Sequence, residues 1–433
     1  MSVIAWIALV SCAVWAWLLL GQGLFWRTDQ RLPRGSVEPE RWPSVAVVVP
    51  ARDEAEVLPV SLPSLLAQDY PGRAEVVLVD DGSEDGTGDL ARALAEPSTG
   101  SRAEGGDRPG SPADGAVPAD GGRRAAGGGD RAEGAGRTGL PLTVVSPGPP
   151  EPGWTGKLWA VRHGVGVVCA RDEGAPDFLL LTDADIAHAP DSLRRLVAAA
   201  VSHRLDLVSQ MARLRVSGAW ERLVVPAFVY FFCQLYPFRR VNRDGARTAA
   251  AAGGCVLLRT EAAGRAGVPD AVRDAVIDDV ALARAVRRAG GRLWLGLAEH
   301  VESVRPYPRL ADLWRMVARS AYAQLRHSGA LLAATVAGLT LVYLAPPLCL
   351  VIGVGGGDAA AAWAGGAAWA VMAGTYAPML RYYRQPPWAA ALLPLTAALY
   401  LLMTVDSAVR HHRGRGAAWK GRTYPAPRAA ADR

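Results

Sequence analysis

Cysteine is scarce and never clustered: Cys12, Cys169, Cys233, Cys255 and Cys349 stand far apart with no Cys-x-x-Cys spacing. That pattern gives no grounds for a disulfide framework or a thiolate zinc site. A basic stripe interleaved with aromatics is also missing, which argues against nucleic acid as a partner. The net charge of +6 is modest and arises partly from arginine clusters beside apolar segments, a composition that meets anionic lipid headgroups. Charged residues make up 20% of the chain and hydrophobic ones 50%, which suits neither a pure membrane bundle nor an ordinary soluble enzyme. A mixed architecture follows, and 433 residues leave room for one large domain plus membrane segments.

Residues 3–20 carry no charge, and about 20 apolar residues are what a helix needs to cross the hydrocarbon core. A signal peptide would need basic residues before the run and a small-residue cleavage site after it, and neither is present. Arg27, Arg31, Arg34 and Arg41 all follow the run, so the positive-inside rule places the next domain in the cytoplasm. That domain alternates strands and helices. A buried strand at 45–49 leads to a helix at 54–68, a strand at 75–79, a helix at 89–95 and a strand at 142–145. A helix at 158–170, a strand at 178–182, a helix at 191–202 and a strand at 205–210 follow, so the expected fold is α/β with a doubly wound, mostly parallel sheet. Residues 96–140 collapse to Gly, Ala, Pro, Ser, Asp and Arg, the composition of a disordered insertion that loops out of the sheet.

Beyond Ser328 three more apolar stretches occur, at 330–352, 359–379 and 388–405. If all three cross, the basic tail with Arg410, His411, His412, Arg413, Arg415, Lys420 and Arg422 lies outside, against the positive-inside rule. Either one stretch is re-entrant or interfacial, or the first, broken by Pro346 and Pro347, is irregular. The expected organisation is a membrane helix at 1–22, a catalytic domain at 43–305, an interfacial amphipathic helix at 306–328, membrane segments at 329–406 and a basic tail at 407–433.

Three acidic blocks carry the chemistry. In VVLVDDGSEDGT a strand delivers Asp80 and Asp81 to its carboxyl end, where open α/β sheets bind ligands; a solvated turn is the plain alternative. In FLLLTDADIAHAP an apolar strand ends in Asp183, Ala184 and Asp185, two carboxylates suited to a hard cation such as Mg²⁺ or Mn²⁺. In AVIDDVALARAVRRAGG, Asp278 and Asp279 open an amphipathic helix. They serve either as dipole-stabilised end residues or, through Asp279, as a general base.

These blocks, in this order, resemble family 2 glycosyltransferases with a GT-A fold, from residue 45 to about 327. VAVVVPARDEAEVLPVSLPSLLAQDYP at the start of the domain belongs to the resemblance, with Pro50, Asp53 and Glu54 at the nucleotide-contact position. By similarity, Asp80 or Asp81 binds the nucleobase and ribose of a nucleotide-sugar donor. Asp183 and Asp185 serve the ribose, the metal and the diphosphate, and Asp279 is the catalytic base. The family's usual Glu-Asp reads Asp278-Asp279 here. PPEPGWTGKLWAVRHG, with Trp154, Gly156 and Lys157, and the terminal AWKGRTYP are most similar to the hopene-associated glycosyltransferases. Lys157, at a helix start, is a candidate phosphate contact, with a surface lysine as the plain alternative. A Gln-x-x-Arg-Trp block is missing. RLADLWRMVARSAYAQLRHS stands there instead, an interfacial helix whose Arg315 or Arg319 meets the diphosphate or merely a headgroup.

The resemblance implies a membrane-bound inverting glycosyltransferase acting on a hopanoid or other isoprenoid lipid acceptor at the cytoplasmic face of the inner (plasma) membrane. The alternatives are a ceramide-like or polyprenyl phosphate acceptor, or a non-catalytic membrane scaffold. The aromatic run around 221–243 is expected to dip into the membrane and cradle an apolar acceptor or to be an ordinary buried helix, and Gly253 and Gly254 beyond it stand where family members let backbone approach the donor sugar or acceptor.

Overall fold

The computed structural model describes residues 1–96 and 139–414 and the backbone of 418–419 and 422–423. All but the margins of the expected insertion, and the side chains of the tail from Arg415 onward, including Trp419, Lys420 and Tyr424, lie outside the described residues.

An amino-terminal helix α1 (Val3–Leu20) precedes a sheet domain. Strand β1 (Val45–Ala51) is buried at all seven positions, as a central strand covered on both faces must be. Helix α2 (Leu58–Leu66), β2 (Ala74–Asp80), α3 (Thr87–Ala95), β3 (Leu142–Val145), α4 (Gly156–Cys169), β4 (Phe178–Thr182) and β5 (Ile186–His188) follow. Then come α5 (Ser192–Ser202), β6 (Leu207–Leu214), α6 (Ala219–Leu235), α7 (Phe238–Val241), β7 (Cys255–Arg259), α8 (Thr260–Ala266), α9 (Asp278–Arg288) and β8 (Leu293–Ser303). The eight strands lie in the order β3-β2-β1-β4-β7-β6-β8-β5.

The half from β3 to β4 is parallel, as expected, and so is β6 with β8. Strand β7 runs antiparallel between β4 and β6. The chain leaves β6 through α6 and α7 and comes back at the same end, so the next strand must be reversed. Strand β5 pairs antiparallel with β8. The path from β1 goes one way to β2 and β3, then α4 carries it across to β4 on the other side. The carboxyl ends of β1 and β4 therefore flank a topological switch point, where a crevice opens. Helix α4 sits close on the sheet because Gly164 has no side chain. A Cβ there would come within 2.6 Å of Val48 and 2.8 Å of Val79.

After the sheet come α10 (Leu310–Ala318), α11 (Ala321–Gln324), α12 (Gly329–Leu339), a π-helical turn (Thr340–Leu344) and α13 (Ala345–Gly355). The irregularity expected around Pro346 and Pro347 is this turn, since proline supplies no N–H to continue a regular ladder. Helix α14 (Ala359–Tyr382), a 3₁₀ turn (Pro387–Leu392) and α15 (Leu393–His412) complete the described chain. Among the described residues three helices are long and apolar enough to cross a membrane: Val3–Leu20, Gly329–Gly355 and Pro387–His412. Helix α14 is long enough at 24 residues but, being rich in Ala and Gly, falls outside that set. It packs between α1 and α13. At Gly365 a Cβ would lie 2.7 Å from the backbone of Pro346 and Leu350, so only glycine lets these two helices approach so closely.

One hydrophobic core joins these helices to the sheet. Trp15 is fully buried, its indole N–H donates to the Val342 carbonyl at 2.7 Å, and its ring meets Tyr343 edge-on. Tyr230, Tyr376 and Tyr400 of α6, α14 and α15 share that core, and the Tyr230 and Tyr376 rings meet edge-on with centres 5.1 Å apart.

Candidate active site

Strand β4 ends at Thr182, whose hydroxyl donates to the Gly254 carbonyl at 2.8 Å. The chain then turns through Asp183, Ala184 and Asp185, with the Ala184 carbonyl fixed by the Ser61 hydroxyl at 2.5 Å. Asp183 faces the Lys157 ammonium at 2.8 Å, and the same ammonium stands 3.0 Å from Asp278. Lys157 is one of only two lysines in the chain, and it occupies the first turn of α4, whose end is capped by the Thr155 side chain. Burial alone would lower its pKa, but the carboxylates of Asp183 and Asp278 outweigh that and hold it protonated. Burial raises Asp183, Lys157 opposes the rise and the neighbouring Asp185 adds to it.

Asp185 is held differently. Its carboxylate accepts from the Ser303 hydroxyl at 2.9 Å and from Arg305 Nε at 3.2 Å, while another Arg305 nitrogen bonds Glu54. Burial disfavours the Arg305 charge, and Asp185 and Glu54 more than restore it. The loop after β1 is laced to the loop after β2: Glu54 N–H donates to the Thr87 hydroxyl at 2.8 Å and Glu84 N–H to Asp53 at 2.9 Å.

Asp279 lies across the crevice. One of its oxygens accepts from Gly253 N–H at 2.9 Å and the other from Val280 N–H at 2.7 Å. Burial, with Asp278 adding, raises its pKa to about 7, against the smaller lowering by Lys157 and the two amides. At Gly253 a Cβ would stand 3.4 Å from both Asp279 and Lys157, so glycine keeps the approach to these groups open.

A single cavity of about 1230 Å³ contains Pro50, Glu54, Lys157, Asp183, Asp185, Asp278, Asp279, Arg305 and Arg319 at one end. At the other it is lined by Val14 and Leu18 of α1, Phe228, Phe231 and Phe232 of α6, Gly338 and Leu339 of α12, Val342 and Tyr343 of the π turn and Tyr400 of α15. Arg315 is paired with Asp312 at 2.5 Å. Arg319 faces the cavity with no ion pair among the described residues, a cation left for an anionic ligand. Asp80 and Asp81 sit beside the cavity and do not line it. Asp80 accepts from the Ser83 N–H and hydroxyl at 2.9 and 2.5 Å, and buried Asp81 faces Arg52 at 3.8 Å.

Sequence reasoning missed Arg305 and Ser303. The only available signal was an arginine between Val304 and Pro306 at a strand exit; its partners emerge only once β5 pairs with β8, aligning Ile186 with Ser303.

Among the described residues no three metal-binding side chains converge. Asp183 and Asp185 nonetheless offer an all-oxygen pair facing the cavity, already balanced by two cations, and a hard divalent ion sharing such a pair with a diphosphate and water fits that donor set.

Residues 46–104 match the family model "Glycosyl transferase family 2", and residues 168–428, more than half of the chain, match "Glycosyl transferase family 21". No curated protein matches the chain. Among solved structures, it is similar to a mannosyltransferase from Pyrobaculum calidifontis in complex with GDP-Man and Mn²⁺. The identity is 20%, covering 95% of this chain and 99% of that one, with a TM-score of 0.49. It is also similar to glucosyl-3-phosphoglycerate synthase from Mycobacterium tuberculosis in complex with Mn²⁺, UDP and glucosyl-3-phosphoglycerate. There the identity is 16%, over 63% of this chain and 76% of that one, with a TM-score of 0.36.

Proposed function

The chain belongs to glycosyl transferase families 2 and 21, and on that premise we propose that it is a membrane-bound inverting transferase. It moves a sugar from a nucleotide diphosphate donor to the hydroxyl of an isoprenoid lipid, hopanoid or linear. One observation carries this reading: the carboxylate cluster and a chamber walled by membrane-type helices are two ends of one cavity. An apolar acceptor lying in that chamber presents its hydroxyl to Asp279 without leaving the bilayer, which saves about 0.8 kcal/mol for each methylene otherwise exposed. Phe228, Phe231, Phe232, Tyr343 and Tyr400 make this part of the cavity lining aromatic and apolar, which suits an isoprenoid skeleton.

The acceptor oxygen attacks the anomeric carbon on the face opposite the diphosphate, and its proton passes to the Asp279 carboxylate as the bond from that carbon to the phosphate oxygen breaks. A base with a pKa near the working pH combines availability with proton affinity. A phosphate acceptor would need no such base, so the raised Asp279 favours a hydroxyl. Asp183 and Asp185 would hold Mg²⁺ or Mn²⁺, which supplies positive charge to the departing diphosphate. Lys157 and Arg319 add fixed charge at that end, and Pro50, Glu54, Asp80 and Asp81 border the nucleotide. The arginines after α1 support a position at the cytoplasmic face of the plasma membrane, by the positive-inside rule.

Gly338 tests the chamber. It lines the cavity, and a Cβ added there meets nothing within 4 Å. Gly338→Phe is expected to abolish transfer to lipid while leaving metal-dependent hydrolysis of the donor intact. Unimpaired transfer to lipid would remove the chamber from the acceptor path.

A further inference from the structure

The stretch Pro387–His412 has the length and hydropathy of a membrane span, yet one end is fastened at the sheet and the other at the α10–α11 segment that follows the sheet. Just before it, the Tyr382 hydroxyl donates to the Ala298 carbonyl of β8 at 2.6 Å, and the Arg31 guanidinium lies 4.7 Å from the Tyr382 ring centre. At its other end the Ser407 hydroxyl donates to the Ala318 carbonyl of α10 at 2.5 Å and accepts from Tyr322 N–H at 3.1 Å. Trp314 donates to Asp406 at 2.7 Å, and the His411 ring stacks on His327 at 4.2 Å. The opposite pole is marked by the Ser2 hydroxyl, which bonds Asp358 in the loop between α13 and α14. Helix α1, the pair α12–α13 and α14 each connect the two poles. Helix α14, at 24 residues, is about 36 Å long, enough for a hydrocarbon core of about 30 Å.

We propose that residues 387–412 do not cross the bilayer but enter and leave it on the catalytic side, one face walling the chamber and the other resting on acyl chains. The inner face carries Tyr400, Thr404 and Ser407 into the cavity lining. The outer face shows Leu395, Leu402 and Val409, spaced seven apart and 54%, 52% and 40% exposed. Exposed apolar side chains of the same kind stand on α13, at Val351, Ile352 and Val354, and on α1, at Val3, Trp6 and Val10, so the occupant the stripe fits is bilayer lipid. Three crossings then leave the carboxy-terminal residues on the catalytic side. There Arg410 and Arg413 accord with the positive-inside rule, and the conflict created by three carboxy-terminal spans disappears. This inference rests on contacts at the two ends of the stretch and stands whether or not the chamber takes a lipid acceptor.

The test uses the full chain in sealed vesicles of one orientation and a membrane-impermeant maleimide. Ala175→Cys marks the catalytic domain, Gly355→Cys the opposite pole and Arg413→Cys the end of α15, each read above the wild-type background. Arg413→Cys is expected to label from the same side as Ala175→Cys, and Gly355→Cys from the other. Labelling of Arg413→Cys together with Gly355→Cys would overturn the topology. A spin label at Leu402→Cys is expected to be relaxed by oxygen and shielded from a water-soluble nickel reagent. Strong nickel relaxation would overturn the lipid contact.

Discussion

Replacing Asp279 with Asn is expected to cost activity and return stability, with opposite dependences on pH. The carboxyl is raised from 3.8 to about 7, so between those values the folded protein binds a proton that the unfolded chain releases. Stability therefore falls as pH rises through that window and carries the whole penalty above it. A shift of about 3 units corresponds to at most about 4 kcal/mol at 1.36 kcal/mol per unit. Cavity water reaching the half-buried carboxylate reduces this. Asn cannot accept from both Gly253 and Val280 with an amide nitrogen in place of one oxygen, which costs about 1–3 kcal/mol. The net gain of the variant over wild type is then about 1–2 kcal/mol at pH 8, and it turns into a loss of about 1–3 kcal/mol well below pH 4, where the wild-type carboxyl is neutral in both states and only the lost hydrogen bond remains. Transfer should fall by about 10²–10⁴, or about 3–5 kcal/mol in barrier. The acid limb of the wild-type kcat/KM profile near pH 7 should vanish with it. Melting temperatures of both proteins across pH 4–8, beside rates at the same pH values, check the pair of effects. A loss of less than tenfold, or a stability difference independent of pH, would refute the assignment.

Asp185→Ala should leave less than about a tenth of wild-type turnover at saturating Mn²⁺, a barrier increase above about 1.4 kcal/mol; higher residual turnover would detach the metal from this carboxylate. Arg305→Gln removes the cation that bridges Asp185 and Glu54, so Mn²⁺ followed by its free-ion resonance should bind several-fold tighter without donor, and unchanged or weaker binding would make Arg305 only a scaffold. Lys157→Met deletes a charge that lowers Asp279, so the acid limb of kcat/KM should move above pH 7; an unmoved limb would separate Lys157 from the base.

The second and third acidic blocks were legible because one ends an apolar strand and the other opens an amphipathic helix, and such ends converge near the switch point of an open sheet, whereas Asp80 and Asp81, at the end of β2, sit beside the cavity without lining it. The start of α2 was less legible. A helix from Glu54 looks natural by composition, yet the helix begins at Leu58 with a proline in its first turn. The preceding residues are committed elsewhere: Asp53 has a φ of 50°, and Ala55 N–H donates to Asp85 at 3.0 Å. The reversal of β7 had no local signal either, since apolar strands read alike in both directions. Arg305 was invisible for a related reason. Its carboxylate partners lie 120 and 251 residues away in sequence, and only the pairing of β5 with β8 brings them to one point.

The adjacent carboxylates of Asp278 and Asp279 could both have been helix-end residues held by the macrodipole, and the contacts decide otherwise. The residue before them makes no side-chain cap. Asp278 turns to the Lys157 ammonium at 3.0 Å, where its charge is matched and shared with Asp183. That contact uses the nearest cation, so Asp279 receives two backbone amides, a weaker compensation than an ion pair, and remains beside a negative neighbour. Two adjacent carboxylates thereby meet different surroundings, one in an ion pair with Lys157 and the other held by two amides, and burial raises the pKa of the second. The shorter Asp278, in place of the family's usual Glu, still reaches Lys157. The family motif can therefore vary at that position without disturbing the proposed base, provided the lysine stays within reach.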